Sequence, residues 1–287
     1  YRLGLFELLR QRCAEANVDL RLVHGQPTEA ERKKCDTGQL PWAYQVRNRY
    51  VTFRGRDILW QPFPRKYRHA ELVVVMQENR LISNYPLLLS RLWRPRKVAY
   101  WGHGANFQSV APTGLRERWK QLWLTAVDWW FAYTDVTRAI VARSGFPAER
   151  TTVLDNAIDN QHFLADLDSV PAAELDGLRE GLSIPAAAKI GLFCGSLYID
   201  KRLPFMIEAA DRIKYEVPDF HLVVVGDGPL AHLVRDAAAS RPWLHVVGVK
   251  MGRDKAAYFR LADVVFNPGA VGLHVLDAFC AGVPMAT

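Results

Sequence analysis

The feature that most constrains this chain is the regular alternation of short apolar runs with helical periods between residues 189 and 286. Lys189–Cys194 reads as a strand, and Leu203–Tyr215 follows with Phe205, Met206, Ile207, Ala209, Ala210 and Ile213 at helical spacing. His221–Val225 is a second strand, closed by Gly226-Asp227-Gly228-Pro229. Leu230–Ser240 is helical, Leu244–Val247 a third strand, Asp254–Leu261 a helix and Asp263–Phe266 a fourth strand. Val271–Ala281 is read as a further helix, and Pro284-Met285-Ala286 opens a fifth strand. Strands of this length separated by helices predict βαβ units on a parallel sheet. Such sheets bind ligands beyond the carboxyl ends of their strands.

The first half is less regular. Leu20–His24, Tyr44–Val51, Leu72–Met76 and Lys97–Trp101 read as strands; Leu87–Leu92, Leu115–Trp130 and Thr137–Ser144 read as helices. The expected fold is α/β, with two facing Rossmann-like domains, residues 1–157 and 158–287, and a break within Asn156–Phe163. Leu164–Ala188 would open the second domain. The chain starts inside an amphipathic pattern (Leu3, Leu5, Phe6, Leu8, Leu9) and stops as a strand begins. The expectation is a fragment lacking both termini, its second domain incomplete at the C-terminus, and inactive in this form.

Charge separates the halves. The net charge is +7, with 37 Lys and Arg against 30 Asp and Glu. Residues 1–150 hold 25 basic against 13 acidic side chains, and the remainder 12 against 17. A basic first half attracts phosphates, anionic lipids or nucleic acid, and is equally compatible with a plain solvated surface. Cys13, Cys35, Cys194 and Cys280 form no CxxC pair and lie near no His at zinc spacing. Cys194 and Cys280 read as small core residues. No run approaches about 18 apolar residues, so no membrane-spanning helix is expected.

The segment from Ala262 to Thr287, ADVVFNPGAVGLHVLDAFCAGVPMAT, carries the strongest chemical signal. A strand ends at Phe266, a Pro-Gly turn and a glycine-containing loop follow, and then a helix. Unpaired N–H groups at such an approach bind phosphate. Gly272 lets the backbone come close to a ligand, and Asp277, one turn on, is placed to accept from a ribose hydroxyl. The same pattern also fits an ordinary strand–turn–helix with Asp277 on a solvated face.

This segment resembles the signature of family 4 glycosyltransferases, which have the GT-B fold. Gly269-Ala270-Val271-Gly272-Leu273 stands where the family has Glu-Gly-Phe-Gly-Leu, and Asp277 stands at its second Glu. The resemblance implies that Asp277 holds the donor ribose, and that backbone N–H groups of Val271, Gly272 and Leu273 face the donor's sugar and distal phosphate. The family's first Glu is Gly269 here, a departure that touches the transferred sugar. Phe193-Cys194-Gly195-Ser196-Leu197-Tyr198-Ile199-Asp200-Lys201-Arg202 resembles the Gly-Arg-Leu…Lys-Gly loop. It implies a strand exit at Gly195, a phosphate-binding Lys201, Ser196 in place of the family's Arg, and Arg202 in place of its Gly, restoring the cation. Val225-Gly226-Asp227-Gly228-Pro229 and Gly248-Val249-Lys250 resemble weaker donor-loop stretches, with Gly226 and Val249 lining the site. Val153-Leu154-Asp155-Asn156-Ala157-Ile158-Asp159 resembles the family's hinge, with Asn156 and Asp159 in turn-capping roles.

Trp101-Gly102-His103-Gly104-Ala105-Asn106 follows a strand, which places His103 for a cleft; a lone His there is as often structural. The resemblance puts His103 near the reacting sugar, with Gly104 and Asn106 on the acceptor side. Glu78 and Asn79, after another strand, are further acceptor candidates. Asp166-Leu167-Asp168 does not follow a strand and is rejected as a metal site, so no metal or cofactor is expected. Trp119, Trp123, Trp129, Trp130 and Tyr133, with Arg116, Arg118 and Lys120, fit a core-packing helix slightly better than one lying on a membrane surface.

The resemblance therefore implies a retaining, metal-independent glycosyltransferase. It would move a sugar from a nucleotide-sugar to an envelope glycan or lipid-linked acceptor, with no nucleic-acid partner. The expected location is the cytoplasm, at the inner face of the cytoplasmic membrane through a peripheral contact. The rivals are a nucleotide-sugar epimerase of the same fold and a non-catalytic sugar-nucleotide binding protein. No G-x-G-x-x-G opens a βαβ unit, which disfavours a dehydrogenase.

Overall fold

The computed structural model describes residues 2–27, 38–53, 56–104 and 123–287. Two compact units emerge, each built on its own sheet. One is made of Arg21–Gln26 and Pro41–Asn156; the other gathers Ala157–Thr287 with the described parts of Tyr1–Leu20 and Pro27–Leu40. The first element, α1 (Leu3–Glu15), belongs to the second unit and buries none of its residues.

In the first unit, β1 (Val23–Gly25) pairs in parallel with β2 (Tyr44–Val46), and β3 (Arg49–Phe53) pairs antiparallel with β4 (Arg56–Trp60). The expected single strand over Tyr44–Val51 is thus two strands in different sheets. Asn48 makes the break: its backbone N–H donates to Gln26 Oε1 (2.7 Å) and its carbonyl accepts from Gln26 Nε2 (2.8 Å), turning the chain away from β2.

The main sheet is wholly parallel, in the order β5 (Leu72–Met76), β6 (Lys97–Gly102), β7 (Trp129–Ala132), β8 (Thr151–Val153). Helix α2 (Asn84–Ser90) precedes β6, and α3 (Asp135–Arg143) links β7 to β8 with Thr134 as its cap, accepting from Thr137 N at 3.4 Å. Leu88, Val98, Tyr100, Leu124, Val127, Trp130, Val141 and Phe146 form the core.

The helix expected over Leu115–Trp130 is corrected at its end: Trp129 and Trp130 lie in β7. Two anchors override the helical stripe. Trp130 is fully buried, with Nε1 donating to Leu124 O at 2.8 Å. Asp128 accepts from Arg91 Nε (2.8 Å), Arg91 Nη2 (2.9 Å) and the backbone of Val98 (2.9 Å), which pins the chain at the start of the strand. The membrane-helix candidates Arg116, Arg118, Trp119 and Lys120 lie outside the described residues.

The second unit holds a five-stranded parallel sheet in the order β11-β10-β9-β12-β13: β9 is Lys189–Cys194, β10 Phe220–Val225, β11 Leu244–Gly248, β12 Val264–Phe266 and β13 Met285–Ala286. Two helices the sequence did not suggest, α4 (Asn160–Ser169) and α5 (Ala172–Gly181), precede β9. Asp159 caps α4, accepting from His162 N at 3.0 Å. Then come α6 (Leu203–Glu216), α7 (Ala231–Ala238), α8 (Gly252–Leu261) and α9 (His274–Cys280). Helix α9 starts three residues later than expected, so Val271, Gly272 and Leu273 form its approach.

Side chains on β9 alternate between two cores. Ile190, Leu192 and Cys194 pack with Phe163, Phe259 and Val265; Phe193 packs with Leu203, Met206, Leu222 and Val224 on the other face. A strand covered on both sides must be apolar throughout, which is why these runs do not alternate. Gly191 sits where a Cβ would meet the Phe266 ring at 2.2 Å.

Candidate functional site

The carboxyl ends of β9, β10 and β12 carry three loops that are stitched together. Gly195 N donates to Val225 O (3.0 Å), Leu197 N to Asp227 O (3.0 Å) and Leu230 N to Leu197 O (2.9 Å). The glycines are needed for this approach. A Cβ on Gly226 would lie 2.0 Å from Gly195 O, and one on Gly228 2.5 Å from Leu197 O. Gly195 itself has φ +158 and open space before it, and Ser196 follows half-buried. Val249, just past β11, is half-buried to exposed at 38%.

Lys201 ends a 3-10 turn after β9 and is buried, 5% exposed. Its Nζ donates to Asn267 Oδ1 at 3.2 Å and to the carbonyl of Ala270. Ala270 N donates back to Asp200 O at 2.9 Å, and Asn267 Nδ2 to Gly269 O at 2.9 Å. Asn267, with no exposed surface, is thus the tie between the turn and the loop. An ammonium has three N–H donors, of which two have acceptors among the described residues. Burial pushes the Lys201 pKa down, partly opposed by Asp200.

Gly269 fits this account. A Cβ there would stand 2.0 Å from Asp200 O and 2.8 Å from Lys201 Cα, so no side chain fits without moving backbone. Arg202 is exposed, its guanidinium 5.2 Å from the Phe205 ring, with a left-handed backbone (φ +51, ψ +44). That conformation favours glycine, the residue the resembled family has there.

Asp277 is 5% exposed and accepts from Lys255 Nζ at 2.9 Å. Burial raises its pKa and Lys255 opposes the rise. His274, half-buried at the start of α9, feels the charge of both lysines. Its pKa is pushed down to about 4 by burial first, then by Lys201 and Lys255, which keeps the imidazole neutral. Cys194 feels Lys255 and Asp277 as well, and burial pushes its thiol up to about 12. The structure therefore brings Lys201 and the Lys255–Asp277 pair to one end of the sheet, with His274 in the field of both lysines. Val271, Gly272 and Leu273 cross the same end; Val271 is 51% exposed, and a Cβ on Gly272 would meet His274 Nδ1 at 3.3 Å.

Sequence reasoning missed three members: Asn267, His274 and Lys255. Asn267 and His274 were within the quoted segment, and a polar residue ending an apolar strand was the available signal. Lys255 sits on α8, and nothing in its neighbourhood marks it. Asp166 and Asp168 lie within α4, and no group of three or more metal-type ligands occurs among the described residues.

In the first unit, Gln77 N donates to Trp101 O at 2.9 Å, which puts Glu78 and His103 at one sheet edge. His103 is exposed and its ring centroid lies 4.2 Å from that of Tyr133. Gly104 has φ +70, with Val141 3.3 Å from a built Cβ. Glu78 accepts from Arg80 Nε at 2.7 Å, and Asn79 follows it half-buried. Gln77 Oε1 is buried with no partner among the described residues. Asn106 lies outside the described residues.

These features define an α/β chain in which glycine-bearing loops at the carboxyl ends of a parallel sheet meet a buried Lys201 and a buried Asp277. Residues 188–287, which contain Lys201, Asn267, His274 and Asp277, match the family described as "Glycosyl transferases group 1". Over 200 residues the chain is 26% identical to "Putative glycosyltransferase EpsD" of Bacillus subtilis (strain 168), covering 66% of this chain and 50% of that protein. The chain spans about half the length of this curated relative.

Among solved structures, a glycosyltransferase from Rickettsia africae ESF-5 superposes with a TM-score of 0.62 at 13% identity, covering 92% of this chain and 77% of that one. Anabaena Alr3699/HepE in complex with UDP-glucose gives 0.57 at 16%, covering 77% and 60%. The UDP-GlcNAc 2-epimerase of Neisseria meningitidis bound to UDP-GlcNAc gives 0.54 at 13%, covering 75% and 58%. At these identities the likeness establishes the fold, a pair of Rossmann-like units of the GT-B type. No helix among the described residues is long and apolar enough to cross a membrane.

Proposed function

We propose that the chain is the core of a retaining, metal-independent glycosyltransferase that moves a sugar from a nucleotide-sugar to an envelope glycan or lipid-linked acceptor. The observation that carries this reading is the buried Lys201, held by Asn267 and Ala270 at the same sheet end as the Asp277–Lys255 pair. In it, Asp277 receives the ribose, and Lys201 and Arg202 face the diphosphate. The bond from the sugar's anomeric carbon to the phosphate oxygen breaks while the acceptor oxygen bonds to that carbon on the same face. The acceptor's proton passes to the departing phosphate, so no protein nucleophile is required. A preorganised ammonium gains most when negative charge develops on the leaving group. His103, Glu78, Asn79, Gly104 and Asn106 serve the acceptor side, and a peripheral membrane contact at the cytoplasmic face brings a lipid-linked acceptor within reach. The division at residues 157 and 158 separates acceptor from donor functions.

A second reading, a nucleotide-sugar epimerase, gains support from one observation. His274, neutral and in the field of two lysines, adds an acid–base group to the donor site. Thermal-shift screening against a nucleotide-sugar panel, followed by product analysis with an acceptor lipid extract, separates the two. Transfer with the donor's anomeric configuration kept supports the glycosyltransferase; an epimerised nucleotide-sugar without acceptor consumption overturns it.

A further inference from the structure

The first unit carries a surface that neither the donor nor the acceptor residues use. Where α2 turns into β6, Leu89, Leu92 and Trp93 are 45%, 80% and 66% exposed. Their backbone is nevertheless ordered: Trp93 N and Arg94 N both donate to Ser90 O, at 3.2 and 3.0 Å. These side chains project from a fixed turn, and none belongs to the core of this unit.

Cations flank them on the same turn and on the neighbouring Phe63–His69 segment, where Lys66 Nζ lies 3.4 Å from the Tyr44 ring centroid. Arg65, Lys66, Arg68, Arg94 and Lys97 are exposed. Buried Arg96 stitches the two segments together: it donates to the carbonyl of Arg68, and its guanidinium lies 4.8 Å from the Phe63 ring. Lys97 N donates to Glu71 O at 2.8 Å, closing the same junction. Charge compensation is scarce. Asp128 is engaged by Arg91 and lies 3.5 Å from Lys97. Among the described residues no carboxylate pairs with Arg65, Lys66, Arg68, Arg94 or Arg96, and Arg96 Nε is buried without a partner. A buried cation left in this condition is costly unless an anion arrives nearby.

We propose that the Arg91–Lys97 turn and the Phe63–His69 segment together dock on an anionic lipid bilayer, with Leu92 and Trp93 entering the headgroup boundary. Tryptophan and leucine ringed by Lys and Arg suit that interface, where apolar burial and attraction to anionic headgroups add. Two of the three exposed apolar side chains, Leu89 and Leu92, are aliphatic and offer no ring on which a base could stack, which favours lipid over nucleic acid. The surface lies at the amino ends of β5 and β6, opposite the sheet edge that holds His103. A bilayer there leaves the carboxyl edge open. This goes beyond the proposed function: the surface would hold the protein at a bilayer without itself presenting an acceptor to His103. Vesicle binding needs neither donor nor acceptor, so the two readings fail separately.

The test is cosedimentation of the whole chain with phosphatidylcholine vesicles, with and without phosphatidylglycerol, at low and high salt. Binding is expected only with phosphatidylglycerol, and weaker in salt. The double variant Leu92→Ser/Trp93→Ser and the double variant Arg65→Glu/Arg94→Glu should each lower the partition coefficient about tenfold. Tyr215→Ser, removing an 85% exposed aromatic from the second unit, should change nothing. Circular dichroism checks that each variant is folded. Equal binding to both vesicle types, undiminished binding by the folded double variants, or capture of a single-stranded oligonucleotide in preference to vesicles would overturn the proposal.

Discussion

The two units solve the same architectural problem with different strands. In the second, β10 is buried at every position and β9 at every position but its first. In the first, β6 is buried at four of its six positions, but β5 is buried at none and β7 only at every second one. Both sheets are parallel, so strand direction does not cause the difference. Coverage does: two apolar cores flank the second sheet, while a single core cluster is found among the described residues of the first. The sites differ in the same way. In the second unit Lys201 and Asp277 are buried and hydrogen-bonded, to Asn267 and Lys255 respectively, whereas His103 stands exposed beside Tyr133. A well-covered sheet can hold buried charges in fixed geometry; a partly covered one offers exposed residues to a large ligand.

The sharpest way to break this comparison is at β7, where the first unit buries its largest side chain. Trp130→Ala removes a fully buried indole and its bond to Leu124 O. Loss of about 4 kcal/mol is expected, confined to the transition of the first unit. Denaturant unfolding followed by far-ultraviolet circular dichroism reads it. A loss below about 1 kcal/mol would show that the first sheet carries less of its stability in this core than the geometry implies.

The same residue shows what the sequence made legible. Runs such as Lys189–Cys194 and Leu72–Met76 declare themselves because every residue suits a strand, and both were found with the boundaries expected. Trp123, Ala126 and Trp130 also follow a helical stripe, and local pattern alone cannot decide against it. The decision comes from Asp128, which reaches Arg91, 37 positions earlier in the chain. The glycines of the donor loops were legible as turn formers. That Gly269 is required by Asp200 O, and that Lys255 reaches Asp277 from another helix, depends on contacts that no local window contains.

A smaller but functional effect is expected at Lys201. If Lys201 faces the diphosphate as proposed, Lys201→Ala should reduce kcat about a hundredfold, or about 3 kcal/mol, with a lesser change in KM. Steady-state kinetics on the preferred donor measure it. An unchanged kcat with a raised KM would make Lys201 a binding residue only. The matching variant in the first unit, His103→Ala, bears on the comparison: if the exposed edge serves the acceptor, its effect falls on the acceptor KM.

Next in size is the pair beside it. Lys255→Met leaves the Asp277 carboxylate 5% exposed without its cation. About 2 kcal/mol of stability should be lost near neutral pH, since a buried charge left unpaired is destabilising. Asp277's pKa, already raised by burial, then rises further, so the loss should shrink as the medium becomes acidic and the carboxyl takes up its proton. A double variant with Asp277→Asn should recover most of the loss. No recovery would mean that Lys255 acts by packing on the Phe163 ring, 4.4 Å away, and not by charge.

The smallest effect concerns two stacked histidines on neighbouring strands of the second unit. His221 on β10 and His245 on β11 lie with ring planes 10° apart and Nδ1 and Nε2 at 2.9 Å, a hydrogen bond that requires at least one neutral ring. Burial, and then the charge of His221, push the His245 pKa down to about 4. His221 is lowered by burial and by Lys214 and Arg179, with Asp219 opposing. A histidine whose folded pKa lies below its unfolded value binds fewer protons when folded. Its contribution to stability is therefore complete above the unfolded pKa, about 6.5, and is lost as the pH falls from there toward about 4. His274 has the same sign over the same interval. Because His245 keeps some access to solvent, the loss assigned to it should be on the order of 1 kcal/mol rather than the full shift. His245→Gln should flatten the acid limb of the stability curve by that amount while leaving the limb above pH 7 unchanged. Urea unfolding at pH 5 and pH 7.5 measures both. An acid limb just as steep in the variant would move the sensitivity to His221 or His274.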